Sequence, residues 1–308
     1  MLFDPIAPLP LGSFPLWHFP IPSLRLMTGD HPSSIYGFGE EIVEIREMEP
    51  SDSTEWYSPI LSARMKKRMS VYHSRHEEVG IQLYLDVGPA MDFGVPSKRH
   101  VAVKVMSSLT ANIFREPNQG TATFIGVGAR TVRFAEIGDQ VVASGALRRF
   151  AYNLAPYHGD ARPLTKALKH HATETPEQFV CIFSDFLISP DDEDEWDNFE
   201  NAYKRVGQQG SEVICIRILS PLECAIPAGS ITVKSAENAN WIGFGTKKEL
   251  LKRQSRIRER LAHICSKPEI RFLEIVSDGN EDRLTAQVRE FLQARKRYLR
   301  THLDVAPS

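Results

Sequence analysis

Two apolar runs, each closed by a carboxylate, constrain this chain more than any other feature. Ile81-Gln82-Leu83-Tyr84-Leu85-Asp86 leads into Val87-Gly88-Pro89-Ala90-Met91, and Phe179-Val180-Cys181-Ile182-Phe183-Ser184 leads into Asp185-Phe186. Each run is apolar on both faces, as a central parallel strand lying between two helical layers must be. Each also delivers an aspartate at its C-terminal end, the edge at which open α/β sheets hold their ligands. If the strands are neighbours, Asp86 and Asp185 meet in one crevice.

The pattern around these runs supports such a sheet. From Val79 onward, strands and helices alternate. The strand ending at Asp86 precedes a helix carrying Val101, Val105, Leu109 and Ile113 four apart on one face. Strands over 121–127 and 131–134 are close enough for a hairpin across Gly128-Ala129-Arg130. Helical stretches near 146–154 and 164–172 lead to the Asp185 strand, a helix over 193–206 and a strand over 212–219. A short strand at 231–234, a charged helix over 247–265, a strand over 270–276 and a helix carrying Leu284, Val288, Phe291 and Leu292 follow. This spacing predicts an α/β fold with a doubly wound, mostly parallel sheet.

The N-terminal third is different. Pro5, Pro8, Pro10, Pro15, Pro20, Pro22 and Pro32 forbid regular helix there, while Phe14, Leu16, Trp17 and Phe19 are too apolar for a solvated tail. On this pattern the chain divides into an extended proline-rich arm (1–35) that straps onto the body or a partner, a small irregular lobe (36–78) and the α/β domain (79–300). Strand-like stretches at 42–48 and 65–72 are expected in the lobe.

Bulk composition gives no support to several functions. A formal net charge of −2 gives no electrostatic case for wrapping nucleic acid or lying on anionic lipid. The Lys/Arg runs around 247–260 and 295–300 read as solvated helix faces. No apolar run is long enough for membrane insertion, and no secretory signal is evident at the N-terminus. Cys181, Cys215, Cys224 and Cys265 are scattered without a C-x-x-C pair, which favours a reducing, cytoplasmic location.

Asp86-Val87-Gly88-Pro89-Ala90 and Ser184-Asp185-Phe186 resemble the metal-site motifs of von Willebrand factor A-type domains, in which D-x-S-x-S, a loop threonine and a second aspartate hold a divalent ion. The segments Gly29-Asp30-His31-Pro32, Tyr36-Gly37-Phe38-Gly39-Glu40, Ile45-Arg46-Glu47-Met48-Glu49-Pro50-Ser51-Asp52, Glu55-Trp56 and Ser62-Ala63-Arg64 are similar to the signature of domain-of-unknown-function family 58. Ser220-Pro221-Leu222-Glu223 followed by Ile226-Pro227 resembles that family's later D-P-x-E…P segment. The resemblance spans about 24–298 and implies a von Willebrand factor A-like domain with six main strands, one of them an antiparallel edge. It also implies a non-catalytic interaction module whose partner is a MoxR-type AAA+ ATPase or another component of a chaperone-like complex.

The departures from that pattern bear on chemistry. Gly88 and Ala90 stand where the motif has serines, and alignment on Leu164 and Leu168 puts Arg162 where the threonine would be, with Asp160 or Ala161 as alternatives. The adhesion site is therefore degenerate: two carboxylates and water are a poor cage for Mg²⁺. No resident cofactor is expected, with Mg²⁺ on Asp86 and Asp185 as the disfavoured case. Facing aspartates repel unless a cation joins them, and the Arg162 guanidinium is one candidate for the vacated position. The alternative is that Arg162 begins a helix in solvent while Asp86 caps the turn below.

The competing class is an enzyme using Asp86 and Asp185 in phosphoryl transfer or metal-assisted hydrolysis, although Gly88 occupies the position where such phosphotransferases need a second carboxylate. His158 and the adjacent His170 and His171 read as surface residues, because neighbours on a helix diverge and cannot chelate together. Asp191, Asp192 and Glu193 open a helix, where its dipole favours acids. With Trp196 they are also a candidate interface for a basic partner surface.

Overall fold

Helices cover both faces of a six-stranded sheet, and the alternation of side chains along each central strand explains why. The computed structural model describes residues 9, 28–50, 52–77, 79–113, 120–127, 132–137, 147, 150, 163–174, 179–188, 191–209, 211–225, 230–234 and 242–303. In chain order the elements are β1 (Thr28–Glu47), α1 (Pro59–Met65), β2 (Met69–Glu77), β3 (Val79–Asp86), α2 (Lys98–Ile113), β4 (Gly120–Val127), β5 (Val132–Ile137), α3 (Pro163–Glu174) and β6 (Phe179–Ser184). They continue with α4 (Glu193–Gln208), β7 (Glu212–Leu219), α5 (Pro221–Cys224), β8 (Ser230–Lys234), β9 (Ile242–Thr246), α6 (Lys247–Ile264), α7 (Pro268–Arg271), β10 (Phe272–Val276) and α8 (Glu281–Leu303).

The main sheet runs β10-β7-β6-β3-β4-β5. Five strands are parallel, and β5 returns antiparallel to β4 at the edge. The doubly wound architecture and its antiparallel edge are those expected from the sequence. Chain order moves outward in opposite directions from β3 and from β6, so the switch point lies between these adjacent strands. Leu83 pairs with Phe124 on one side and Cys181 on the other.

Odd-numbered residues of β3 (Ile81, Leu83, Leu85) face a core shared with α2 and α8, where Val101, Val105, Leu284 and Val288 are buried. Tyr84, Val180, Ile182, Val213 and Cys215 face the opposite core with Leu168 of α3, Trp196 and Phe199 of α4, and Ile257 and Leu261 of α6. Each large apolar side chain buried this way contributes roughly 1.5–3 kcal/mol. Cys181 and Cys215 are packing groups, and burial pushes the Cys181 thiol well above its ordinary range.

The N-terminal elements depart in part from expectation. β1 begins at Thr28 and runs through the boundary placed at residue 35, pairing with β2 along an irregular register. The stretch expected as strand from residue 65 is split: Met65 ends α1, Lys66 closes it in the left-handed region at φ 54°, and β2 begins at Met69. In the arm, Leu9 is buried in the α2 core and its N–H donates to Ser108 Oγ at 2.8 Å, so the arm touches the body there. Arg46 organises the lobe: its guanidinium bonds Asp52 at 2.7 Å and Tyr72 Oη at 2.8 Å, while Asp52 accepts from Glu49 N at 2.8 Å. Trp56 stacks on Tyr72 at 5.6 Å.

Candidate functional site at the C-terminal edge of the sheet

The register of β3 and β6 builds the site. Leu85 pairs with Phe183, which sets Asp86 beside Ser184. The Ser184 hydroxyl donates to Asp86 Oδ2 at 2.7 Å, and Gly88 N donates to Oδ1 at 2.8 Å. Asp86 thus caps its own turn and joins the two central strands. A Cβ added at Gly88 would stand 3.1 Å from Asp86 Oδ1, so even a serine there would crowd the carboxylate. Ala90 lies in the short 3-10 turn Pro89–Asp92, which Arg99 secures through Asp92 at 2.7 Å.

Asp185 is joined to a different group. Lys98, the first residue of α2, places its ammonium 2.7 Å from Asp185 Oδ2 and 3.1 Å from Glu223 Oε1. Its side chain is 1% exposed, against 3% for Asp185 and 17% for Glu223. Burial alone would lower the pKa of Lys98, but the two carboxylates outweigh it and the net shift is upward. Glu223 also accepts from Ser220 N at 2.6 Å, securing the first turn of α5. The Ser220-Pro221-Leu222-Glu223 segment therefore supplies one of the two carboxylates of the ion cluster. Beneath it, Arg217 of β7 reaches Glu274 of β10 at 3.0 Å and donates from Nε to Asp185 O at 3.4 Å.

Lys98 binds three loops into one surface, because it belongs to the segment after β3 and bonds the segments after β6 and β7. Gly94 adopts φ +99° between them, and a Cβ there would lie 3.2 Å from Pro96 O and 3.5 Å from Ser220 Cβ. Phe186 also takes a left-handed conformation, at φ 51°, which costs a non-glycine residue about 1–2 kcal/mol. It is held there by a turn in which Phe186 N donates to Ser184 Oγ at 2.9 Å and Ile188 N to Phe186 O at 2.7 Å. The turn buries Phe186 and leaves Leu187 outside. Phe93, Val95, Leu187 and Leu222 are exposed on these three loops, Val95 to 94%. Four large apolar side chains thus rim the buried Lys98–Asp185–Glu223 cluster.

The donor set fits a divalent ion poorly. Asp86 accepts from Ser184 and Gly88, positions 88 and 90 carry no hydroxyl, and an ammonium sits on Asp185 Oδ2. Among the described residues, no group of three His, Cys, Asp or Glu side chains is placed to hold a metal. Arg162, Asp160, Ala161 and His158 lie outside the described residues. The cation brought to Asp185 is Lys98, which the motif comparison passes over. A signal for it exists: Lys98 falls in helical phase with Val101, Val105 and Leu109, and a charge on a buried stripe demands a partner.

The acidic segment requires a correction. Trp196 is only 1% exposed and packs in the core beside α6, so it is not an interface anchor. Asp192 caps α4 by accepting from Glu195 N at 3.2 Å, Asp191 pairs with Arg256 at 3.4 Å, and Glu193 pairs with Arg260. Helix start and attachment to α6 account for these acids. His170 is exposed as expected, but His171 is buried, its Nδ1 lying 2.9 Å from both Tyr84 Oη and Gln82 Oε1. The surface reading therefore fails for His171, because α3 turns this residue onto β3.

Distant likenesses exist among solved structures. The conserved hypothetical protein BatB from Bacteroides thetaiotaomicron aligns at 11% identity and TM-score 0.40, covering 71% of this chain and 99% of that one. The SpRpn10 VWA domain aligns at 9% identity and TM-score 0.41, covering 68% and 94%. The pilus adhesin SpaC from Lactobacillus rhamnosus GG aligns at 12% identity and TM-score 0.38, covering 74% and 30%. The assignment of the fold rests on the strand order and register, not on these alignments. No curated protein matches the chain. The model described as "Protein of unknown function DUF58" matches residues 44–263, most of the chain, including both aspartates, Lys98 and Glu223, and the protein belongs to that family.

Proposed function

We propose that this protein is a non-catalytic interaction module that grips a protein partner with the C-terminal edge of its sheet, without an ion in the contact. The carrying observation is the exposed apolar rim of Phe93, Val95, Leu187 and Leu222 over an ion cluster centred on buried Lys98. Clustered apolar side chains at a loop-bearing sheet edge suit a protein contact. Lys98 does the structural work that a metal does in related adhesion sites, holding the acids together while the rim makes the contact. The partner we assign, from the family resemblance, is a MoxR-type AAA+ ATPase or another component of its complex, in the cytoplasm.

Binding of the purified ATPase to immobilised protein, with and without chelator, tests this reading. Binding is expected to persist in chelator and to weaken at least roughly tenfold in Val95→Ser/Leu222→Ser. Loss in chelator, or indifference to the rim substitutions, would overturn it. The enzyme reading has its own assay: phosphoesterase turnover with added divalent metals, abolished in Asp86→Asn, would replace the module with a catalyst.

A further inference from the structure

Acids outnumber bases nine to six over residues 36–78, yet four of those bases are gathered in one short run at a corner of the N-terminal lobe. Within five positions at the end of α1 stand Arg64, Lys66, Lys67 and Arg68, all exposed. Lys67 pairs with Glu47 at 2.8 Å, while Glu44, Glu49 and Asp52 gather about Arg46. Among the described residues, no carboxylate lies within ion-pair distance of Arg64, Lys66 or Arg68. Large apolar side chains accompany them: Ile60 is 70% and Met65 59% exposed, with Tyr57 on the approach to the helix. Ile60 and Arg64 lie four residues apart and share a face of α1, so cation and apolar group present together.

We infer that this corner adsorbs the protein to an anionic phospholipid surface. Three features favour lipid over an acidic protein. Lysine is depleted in protein interfaces, yet half of this cluster is lysine. Long basic stems reach headgroup phosphates while Ile60 and Met65 enter the acyl boundary, as interfacial segments do. The charges are clustered, which suits a surface of diffuse negative potential. One patch of this size gives reversible, salt-sensitive adsorption, not insertion. This surface is separate in sequence from the apolar rim, and the inference does not depend on the rim.

Cosedimentation of the full chain with phosphatidylcholine vesicles, with and without phosphatidylglycerol, tests the inference. Sedimentation is expected only with the anionic vesicles and is expected to disappear as salt is raised. Removing a charge at Lys66 or Arg68 (Lys66→Gln, Arg68→Gln) is expected to lower partitioning about fivefold each. Ile60→Ser/Met65→Ser is expected to lower it independently, and circular dichroism confirms that each variant remains folded. Equal binding to neutral vesicles, no binding, or indifference to either pair of substitutions overturns the inference. So does capture by poly-glutamate without vesicle binding, which would identify an acidic protein partner. The salt titration uses the wild-type chain, so the test survives even if a variant misfolds.

Discussion

The two ends of the main sheet carry the same kind of device with different surroundings. At the end where the parallel strands begin, Arg295 of α8 forks onto Glu212 of β7, with Nη1 2.5 Å from Oε1 and Nη2 on Oε2. Arg295 is fully buried and lies over the Phe179 ring. At the end where the strands finish, Lys98 bridges Asp185 and Glu223. Both pairs bury charge and leave little net stability relative to an apolar filling, so neither is explained by stability alone. The surroundings decide the difference. The Lys98 cluster underlies loops that expose Phe93, Val95, Leu187 and Leu222, the rim to which we assign the partner contact.

Substitutions can break or sharpen this contrast. The largest effect is expected for Arg295→Ala, which removes the fork from buried Glu212 and leaves it the Arg271 guanidinium at 4.0 Å, and it should cost about 3 kcal/mol in urea unfolding. Arg295→Lys should recover only part, because an ammonium cannot make the fork. Lys98→Ala should cost a similar amount, and Lys98→Ala with Asp185→Asn should be clearly less than additive in a double-mutant cycle. Unlike Arg295→Ala, Lys98→Ala should also loosen the three loops, read as faster hydrogen exchange in 87–97, 185–188 and 220–225. The rim pair Val95→Ser/Leu222→Ser should leave stability within about 0.5 kcal/mol of wild type. An equal loss of stability at rim and core would erase the distinction between them.

Titration gives a smaller effect with a definite sign. The Lys98 pKa is raised in the folded protein despite its burial, because Asp185 and Glu223 hold the ammonium. Its stabilisation is therefore complete below the unfolded lysine value of about 10.4 and is lost as pH rises through the higher folded value. The Lys98→Ala stability difference should accordingly be flat from about pH 6 to 9 and shrink only above about pH 10. A similarly small effect belongs to the exposed pair Asp191–Arg256, where Asp191→Asn should change stability by less than about 0.5 kcal/mol. A larger loss would show that the acidic segment does more than begin α4.

Much of the fold was legible before any coordinates, because strand and helix periodicities are local. Ile81 to Leu85 and Phe179 to Phe183 read as central strands from a few consecutive residues, and β7 falls on the expected 212–219. The lobe was less legible: the stretch from Met65 looked extended, yet α1 and a left-handed residue at Lys66 precede β2. The readings of Trp196 and His171 as surface groups fail for one structural reason. Trp196 stands in an acidic run and His171 beside a second histidine, and only the phase of α3 and α4 against the sheet turns these two rings inward.

By itself the sequence determined the alternation of elements, the two aspartates at the strand ends and the loss of the motif hydroxyls at Gly88 and Ala90. Tertiary structure decided which charges meet. Lys98 is 87 residues from Asp185 and 125 from Glu223, and no local pattern joins them. Burial made the pairing obligatory, since an ammonium on the inner stripe of α2 needs carboxylates within reach, and only the packed sheet brings those two to it.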